Sequence, residues 1–252
     1  MDRLGAIMAE ARAQGLRPWI AVKERLARSA VEVMAGAPAA VLQGGAALHF
    51  VYGSPRLSAD VDFVGAGVAR AIETQGPEIA RAASEAVGRP ATWSMTCHGR
   101  LLRGKVAIEL GPARRLVLPV EAYQVPAHRI RLAAPFGPVE EPEEITADKA
   151  VASADRLARR GALKTRDLFD LWFILARLGS AGPDAALVAA KAADYGLPRR
   201  DADLAAAVRA IPEEELRSAL QGVLPASELG ALRLCEVVEA AATVLGSCQH
   251  VL

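Results

Sequence analysis

Between Ser58 and Phe63 the chain reads S-A-D-V-D-F, an alternation of acidic and apolar residues that constrains the fold more than any other stretch. On a helix Asp60 and Asp62 would point in different directions. On a strand both carboxylates share one face, and Val61 and Phe63 turn to the core on the other. Two carboxylates side by side repel unless positive charge lies between them, and a divalent ion with oxygen ligands is a natural occupant. Asp-Val-Asp taken alone also fits a solvated edge strand with two surface acids.

The pattern around this segment predicts a sheet followed by helices. Pro18 opens a helix whose apolar residues Leu26, Ala27, Ala30, Val31 and Met34 recur at three and four, ending near Gly36 and Pro38. Residues 39–42, the Gly44-Gly45 pair and residues 46–51 read as strand, turn and short helix, and a loop follows at Gly53, Ser54 and Pro55. A helix is expected over 68–87 and strands over 91–96 and 105–110. Residues 111–142 hold six prolines and little periodicity, which places an inter-lobe connection there. Beyond it Ala147, Ala150, Val151, Ala154, Leu157 and Ala158 mark one amphipathic helix, and Leu168, Leu171, Trp172, Leu175 and Leu178 another. The rest is Ala- and Leu-rich and helical in pattern, with turns at Gly196-Leu197-Pro198 and at Pro212. The expected fold is α/β (α+β). A small mixed-sheet lobe occupies 1–135, a C-terminal helical lobe occupies 136–252, and the active cleft lies between them.

Composition matters mainly for what it excludes. With 52% hydrophobic and 23% charged residues the chain is ordinary globular protein, which argues against disorder. A formal net charge of +1 leaves no global basic footprint, so a nucleic-acid partner would need a local patch. Cys97, Cys235 and Cys248 form no Cys-x-x-Cys pair and no disulfide framework, which suits a reducing cytoplasm. The opening M-D-R-L-G-A-I-M-A-E-A-R contains no signal-peptide core, and no run of about eighteen apolar residues offers a membrane span.

Several residues carry candidate chemistry. Gly44 and Gly45 would expose backbone N–H groups with no Cβ in the way of a phosphate, although a plain tight turn has the same sequence. Glu109, in K-V-A-I-E-L, is the only acid in the later strand candidates, and on its own it reads as a solvent-facing glutamate as readily as a functional one. Lys149 lies off the apolar stripe of its helix, followed by Ser153, Arg156 and Arg160 on one polar, basic face. Asp170 is the sole polar residue in L-F-D-L-W-F-I-L and needs a partner, for which Arg166, one turn earlier, is the local candidate. Asp167 fits the first turn of a helix, where it complements the dipole.

Taken together, L-Q-G-G-A-A-L-H-F-V-Y-G-S-P-R-L-S-A-D-V-D-F resembles the signature of the AbiEii (MenT-like) toxin family of nucleotidyltransferases, within the polymerase-β-like superfamily. The shared pattern is Gly-Gly-x-Ala-Leu followed by Arg-x-Ser-x-Asp-hydrophobic-Asp, which here falls on Arg56, Ser58, Asp60 and Asp62. Two later blocks match in order: E-E-I-T-A-D-K-A supplies the family's helical lysine at Lys149, and T-R-D-L-F-D-L-W its Arg166, Asp167 and Asp170. The loop from Gly45 to Asp60 is slightly longer than usual, and Gly-Gly stands where many relatives have Gly-Ser, so a phosphate-binding serine would have to come from Ser54 or Ser58.

The resemblance implies a magnesium-dependent enzyme that moves a nucleoside monophosphate from an NTP to an acceptor hydroxyl. Two Mg2+ ions would be held by Asp60 and Asp62, Glu109 would act as third carboxylate, and Asp167 would line the cleft. Gly44, Gly45, Arg56, Ser58, Lys149 and Arg166 would contact the nucleotide. It further implies an RNA acceptor, a tRNA 3′ end, and a separately encoded antitoxin. The rival expectations are a transferase acting on a small molecule or a protein, and an idle module that binds a nucleotide or a partner.

Overall fold

The computed structural model describes residues 2–111, 114–198 and 203–252, and divides into two compact units. The first runs to Glu140 and takes back Gly222–Glu228; the second comprises Glu141–Gln221 and Leu229–Leu252.

In the first unit, helices α1 (Arg3–Ala13) and α2 (Pro18–Met34) lead into strand β1 (Val41–Gln43), the short helix α3 (Gly44–Phe50), strand β2 (Val61–Val64) and helix α4 (Val68–Val87). Strands β3 (Ala91–His98), β4 (Leu101–Gly111), β5 (Arg114–Tyr123), β6 (Ile130–Ala133) and β7 (Gly137–Glu140) follow. They form one seven-stranded mixed sheet in the order β3-β4-β5-β2-β1-β7-β6. Helices α2 and α4 pack against it, burying Leu26, Val31, Ile72 and Ile79 with Val61, Phe63, Leu118, Val120 and Ala122 of the strands. The period-three-and-four stripe of α2 and the period-two stripe of the strands meet in this core.

Gly222–Glu228 is stitched to the start of the chain. Arg17 N donates to Gly222 O (2.9 Å), Leu57 N to Val223 O (2.8 Å) and Ala226 N to Gln14 O (3.0 Å). Val223 completes a small apolar cluster with Ala11, Leu16, Ile20 and Leu57. A side chain at Gly222 would drive its Cβ to 2.3 Å from Arg17 Cγ, so this approach needs glycine.

The second unit is helical. It holds α5 (Pro142–Arg160), α6 (Thr165–Trp172) continued by one π turn (Phe173–Arg177), α7 (Ala185–Asp194), α8 (Leu204–Arg209), α9 (Glu213–Leu220), the end of α10 (Ala226–Ala231) and α11 (Leu234–Cys248). α11 packs on α6, α8 and α9, and α7 packs on α5. Among the described residues no helix is long and apolar enough to cross a membrane.

The stretch expected to connect two lobes turns out otherwise. Residues 114–140 contain three strands, β5, β6 and β7, so the unit boundary falls at 140 rather than 135; residues 112 and 113 lie outside the described residues. Pro119 stands in β5 opposite Lys105 of β4, one residue before the pairing with β2 begins at Val120. Residues 199–202, within the expected helical run, also lie outside the described residues.

Candidate active site

The site is built on the ends of β1 and β2. Asp62 lies on β2, directly opposite Gln43 of β1 and in register with Glu121 of the parallel strand β5; Glu121 in turn faces Arg103 of β4. Residues paired in a sheet share a face. Gln43, Asp62, Glu121 and Arg103 therefore form one polar row across four strands, on the face away from Val61, Phe63, Val120 and Ala122. Two carboxylates next to each other on one face repel. Part of that repulsion is relieved by Arg103, whose Nε lies 3.1 Å from Glu121 Oε1. Tyr123 donates its hydroxyl to Glu121 Oε2 at 3.3 Å. Burial and the negative charges of Glu121 and Asp62 push that phenol well above its ordinary range.

Asp60 sits one residue ahead of the strand, half-buried like Asp62. Ser58 Oγ donates to Asp60 Oδ1 at 2.9 Å. The Gly-Gly turn closes over this pair. Gly44 has φ +67°, and a Cβ there would lie 3.6 Å from Asp62 Oδ2. At Gly45 a Cβ would come to 2.6 Å from Arg56 Nη2 and 3.1 Å from Ser58 Oγ, so any larger residue would displace the Arg56 guanidinium. Arg56 is itself buried, with Nη1 donating to Leu57 O at 3.2 Å. The structure thus brings Gly44, Gly45, Arg56, Ser58, Asp60 and Asp62 together.

It does not bring Glu109 there. Glu109 is on β4, two strands from β2, where it faces Arg115 near the β4–β5 turn with its side chain 69% exposed. The acid beside Asp62 is Glu121, which sequence reasoning missed. Its signal was present in Leu116, Leu118, Val120 and Ala122, a buried alternation that puts Glu121 on the opposite face.

As for a divalent cation, Asp60, Asp62 and Glu121 supply hard carboxylate oxygens of the kind Mg2+ prefers, although those of Glu121 already hold Arg103 and Tyr123. Gln43 adds a fully enclosed Oε1 that has no hydrogen-bond partner among the described residues.

In the second unit Lys149 and Ser153 are buried, so of the polar, basic face expected on this helix only Arg156 and Arg160 reach the surface. Lys149 Nζ donates to Asp167 Oδ1 (2.8 Å) and to Asp170 Oδ2 (2.7 Å). The partner of Asp170 is therefore Lys149 and not Arg166. Burial alone would raise the Asp167 carboxyl, but Lys149, Lys164 and Arg156 hold it well below the usual carboxylate range. A second buried lysine, Lys191, lies 3.0 Å from both Glu144 Oε1 and Asp148 Oδ1.

The family model of the AbiEii nucleotidyl transferase toxin, a type IV toxin–antitoxin system, matches residues 27–243. This chain belongs to the AbiEii family. Its fold agrees with solved nucleotidyltransferase structures. JHP933 from Helicobacter pylori is 20% identical with a TM-score of 0.56, covering 93% of this chain and 95% of that one. MenT4, a nucleotidyltransferase toxin from Mycobacterium tuberculosis, is 19% identical with a TM-score of 0.51, covering 98% and 99%. No curated protein matches in sequence. The family match spans both units, taking in the row on the sheet as well as Lys149, Asp167 and Asp170.

Proposed function

We propose that this AbiEii-family enzyme transfers a nucleoside monophosphate from an NTP to the 3′ hydroxyl of an RNA, with tRNA the first acceptor to test, and that an antitoxin restrains it. The observation that carries the reading is the placement of Asp60, Asp62 and Glu121 beside a glycine turn that also seats Arg56 and Ser58. Asp60, Asp62 and Glu121 would hold Mg2+, which supplies charge neutralisation at the phosphates and a more acidic acceptor hydroxyl. Arg56 offers a fixed guanidinium to a phosphate, and the bare backbone at Gly44-Gly45 lets the triphosphate come close. Ser58 holds Asp60 in place. In the helical unit Lys149, Asp167 and Arg166 are proposed to serve the nucleotide, with Lys149 fixed in one orientation by its two carboxylates.

The RNA part of the reading rests on Arg156, Arg159, Arg160, Lys164 and Arg166, five cations within eleven residues. Three of them are engaged locally: Arg156 and Lys164 with Asp167, and Arg159 with Asp155. Arg160 and Arg166 form no ion pair among the described residues, and two phosphate contacts would give a log–log salt slope of about −1.4. The test is label transfer from each NTP into purified tRNA, with intact and with periodate-oxidised 3′ ends. Label on intact tRNA alone is the expected result. Persistence on oxidised tRNA, or label only on protein or small molecules, would remove the 3′-end acceptor from the reading.

A further inference from the structure

Gln43 has no ordinary reason to be polar. It is 7% exposed, at the N-terminal boundary of α3, yet its side chain makes no capping hydrogen bond. Its Oε1 is enclosed and accepts no hydrogen bond among the described residues. A buried carbonyl oxygen left in this way is costly, and an apolar side chain of the same size would avoid the penalty. The register explains where the amide stands: directly opposite Asp62, on the face that also carries Glu121. Asp62 Oδ2 reaches to within 3.6 Å of where the next residue, Gly44, would carry a Cβ, so the carboxylate lies against the end of β1. An amide oxygen beside a carboxylate is repelled by it, and a cation between them turns the repulsion into shared attraction.

We infer that Gln43 is a positioning and binding residue for the divalent cation, its Oε1 supplying a neutral oxygen alongside Asp62 and Glu121. The inference rests on the metal reading given above. A neutral ligand makes chemical sense at this end of the row. Arg103 at the far end already offsets part of the charge of Glu121, and a further carboxylate in place of Gln43 would leave three acids in succession across β1, β2 and β5. Calcium and magnesium sites tune affinity through the number of charged ligands. Gln43 would therefore keep the cation weakly enough held to exchange with the nucleotide.

The experiment is Mn2+ titration by calorimetry in the absence of nucleotide, on wild type, Gln43→Leu, Gln43→Glu and Asp62→Asn, each checked for folding by circular dichroism. Removing the oxygen in Gln43→Leu should weaken Mn2+ binding roughly tenfold, adding charge in Gln43→Glu should tighten it, and Asp62→Asn should lose it. The metal-free melting temperature separates this role from packing. Gln43→Leu should melt higher than wild type, whereas a residue kept for structure would melt lower. Equal Mn2+ affinity in wild type and Gln43→Leu, with Asp62→Asn defective, overturns the assignment of Gln43 and leaves the metal site standing. Equal affinity in Asp62→Asn, or no binding by wild type, overturns the metal site and the inference with it.

Discussion

Asp62 and Glu121 stand side by side on paired strands with one arginine at the end of their row, whereas Asp167 and Asp170 clasp a buried lysine between them. Glu144 and Asp148 clasp another. The chemical problem is the same, since carboxylates crowd together in each place. In the helical unit it is solved internally, by lysines placed where the charge is. On the sheet Arg103, half-exposed, pairs with Glu121. Acids neutralised from within hold a structure together. The acids of the sheet are only half-buried and stay within reach of a cation from solution.

The sharpest way to break this contrast is to remove one acid from the sheet. Asp62→Ala should abolish nucleotidyl transfer while the protein stays folded by circular dichroism. A folded Asp62→Ala enzyme with wild-type turnover would erase the distinction. Next in size are the lysines. Lys191→Ala strands Glu144, itself fully buried, and should cost about 3–5 kcal/mol in urea unfolding, as is usual when one member of a buried pair is deleted. Lys149→Ala strands Asp170 in the same way, so any loss of transfer in that variant has to be set against its stability; an unfolding curve like wild type would show that these lysines are not the internal counter-ions described above.

The smallest effect sharpens the comparison by pH. The Asp167 carboxyl is held below its ordinary value of 3.8 in the folded protein. It therefore binds protons more readily when unfolded, and the stability it lends is fully present above pH 3.8 and lost as the pH falls below that value. Thermal melts between pH 5 and pH 3 should show a steeper acid loss in wild type than in Asp167→Asn. Parallel curves would mean that Lys149, Lys164 and Arg156 do not act on Asp167 as the geometry indicates.

Local pattern was enough for α2, α4 and β2, because in each the apolar period is long or undiluted and the partner surface lies on one side. It failed at β5 for a physical reason. Pro119 and its neighbours read as a connection, although Leu116, Leu118, Val120 and Ala122 keep a strand's alternation through the proline. Glu121 was lost with the strand. Choosing between Glu109 and Glu121 needs strand order as well as period, and strand order is set by contacts between residues far apart in the chain. The same limit explains Asp170: the sequence displays Arg166 one turn away, while the lysine that neutralises it is 21 residues back on another helix. Of the phosphate-side residues, Gly44, Gly45, Arg56 and Ser58 were legible because they lie within fifteen residues of one another and close on a single turn.

The return of Gly222–Glu228 to the first unit has a consequence for how the protein is made. Synthesis delivers the chain from its N-terminus, and the sheet strands leave the ribosome long before Val223 does. Until then Leu57, the residue between Arg56 and Ser58, lacks the carbonyl that holds its amide and the side chain that covers it. A nascent chain that stalls or is cut before Gly222 carries the carboxylates of the site but not the tether of the loop beside them. Completion of the polypeptide, more than arrival of the sheet, would set the moment at which the loop carrying Arg56 and Ser58 is fastened.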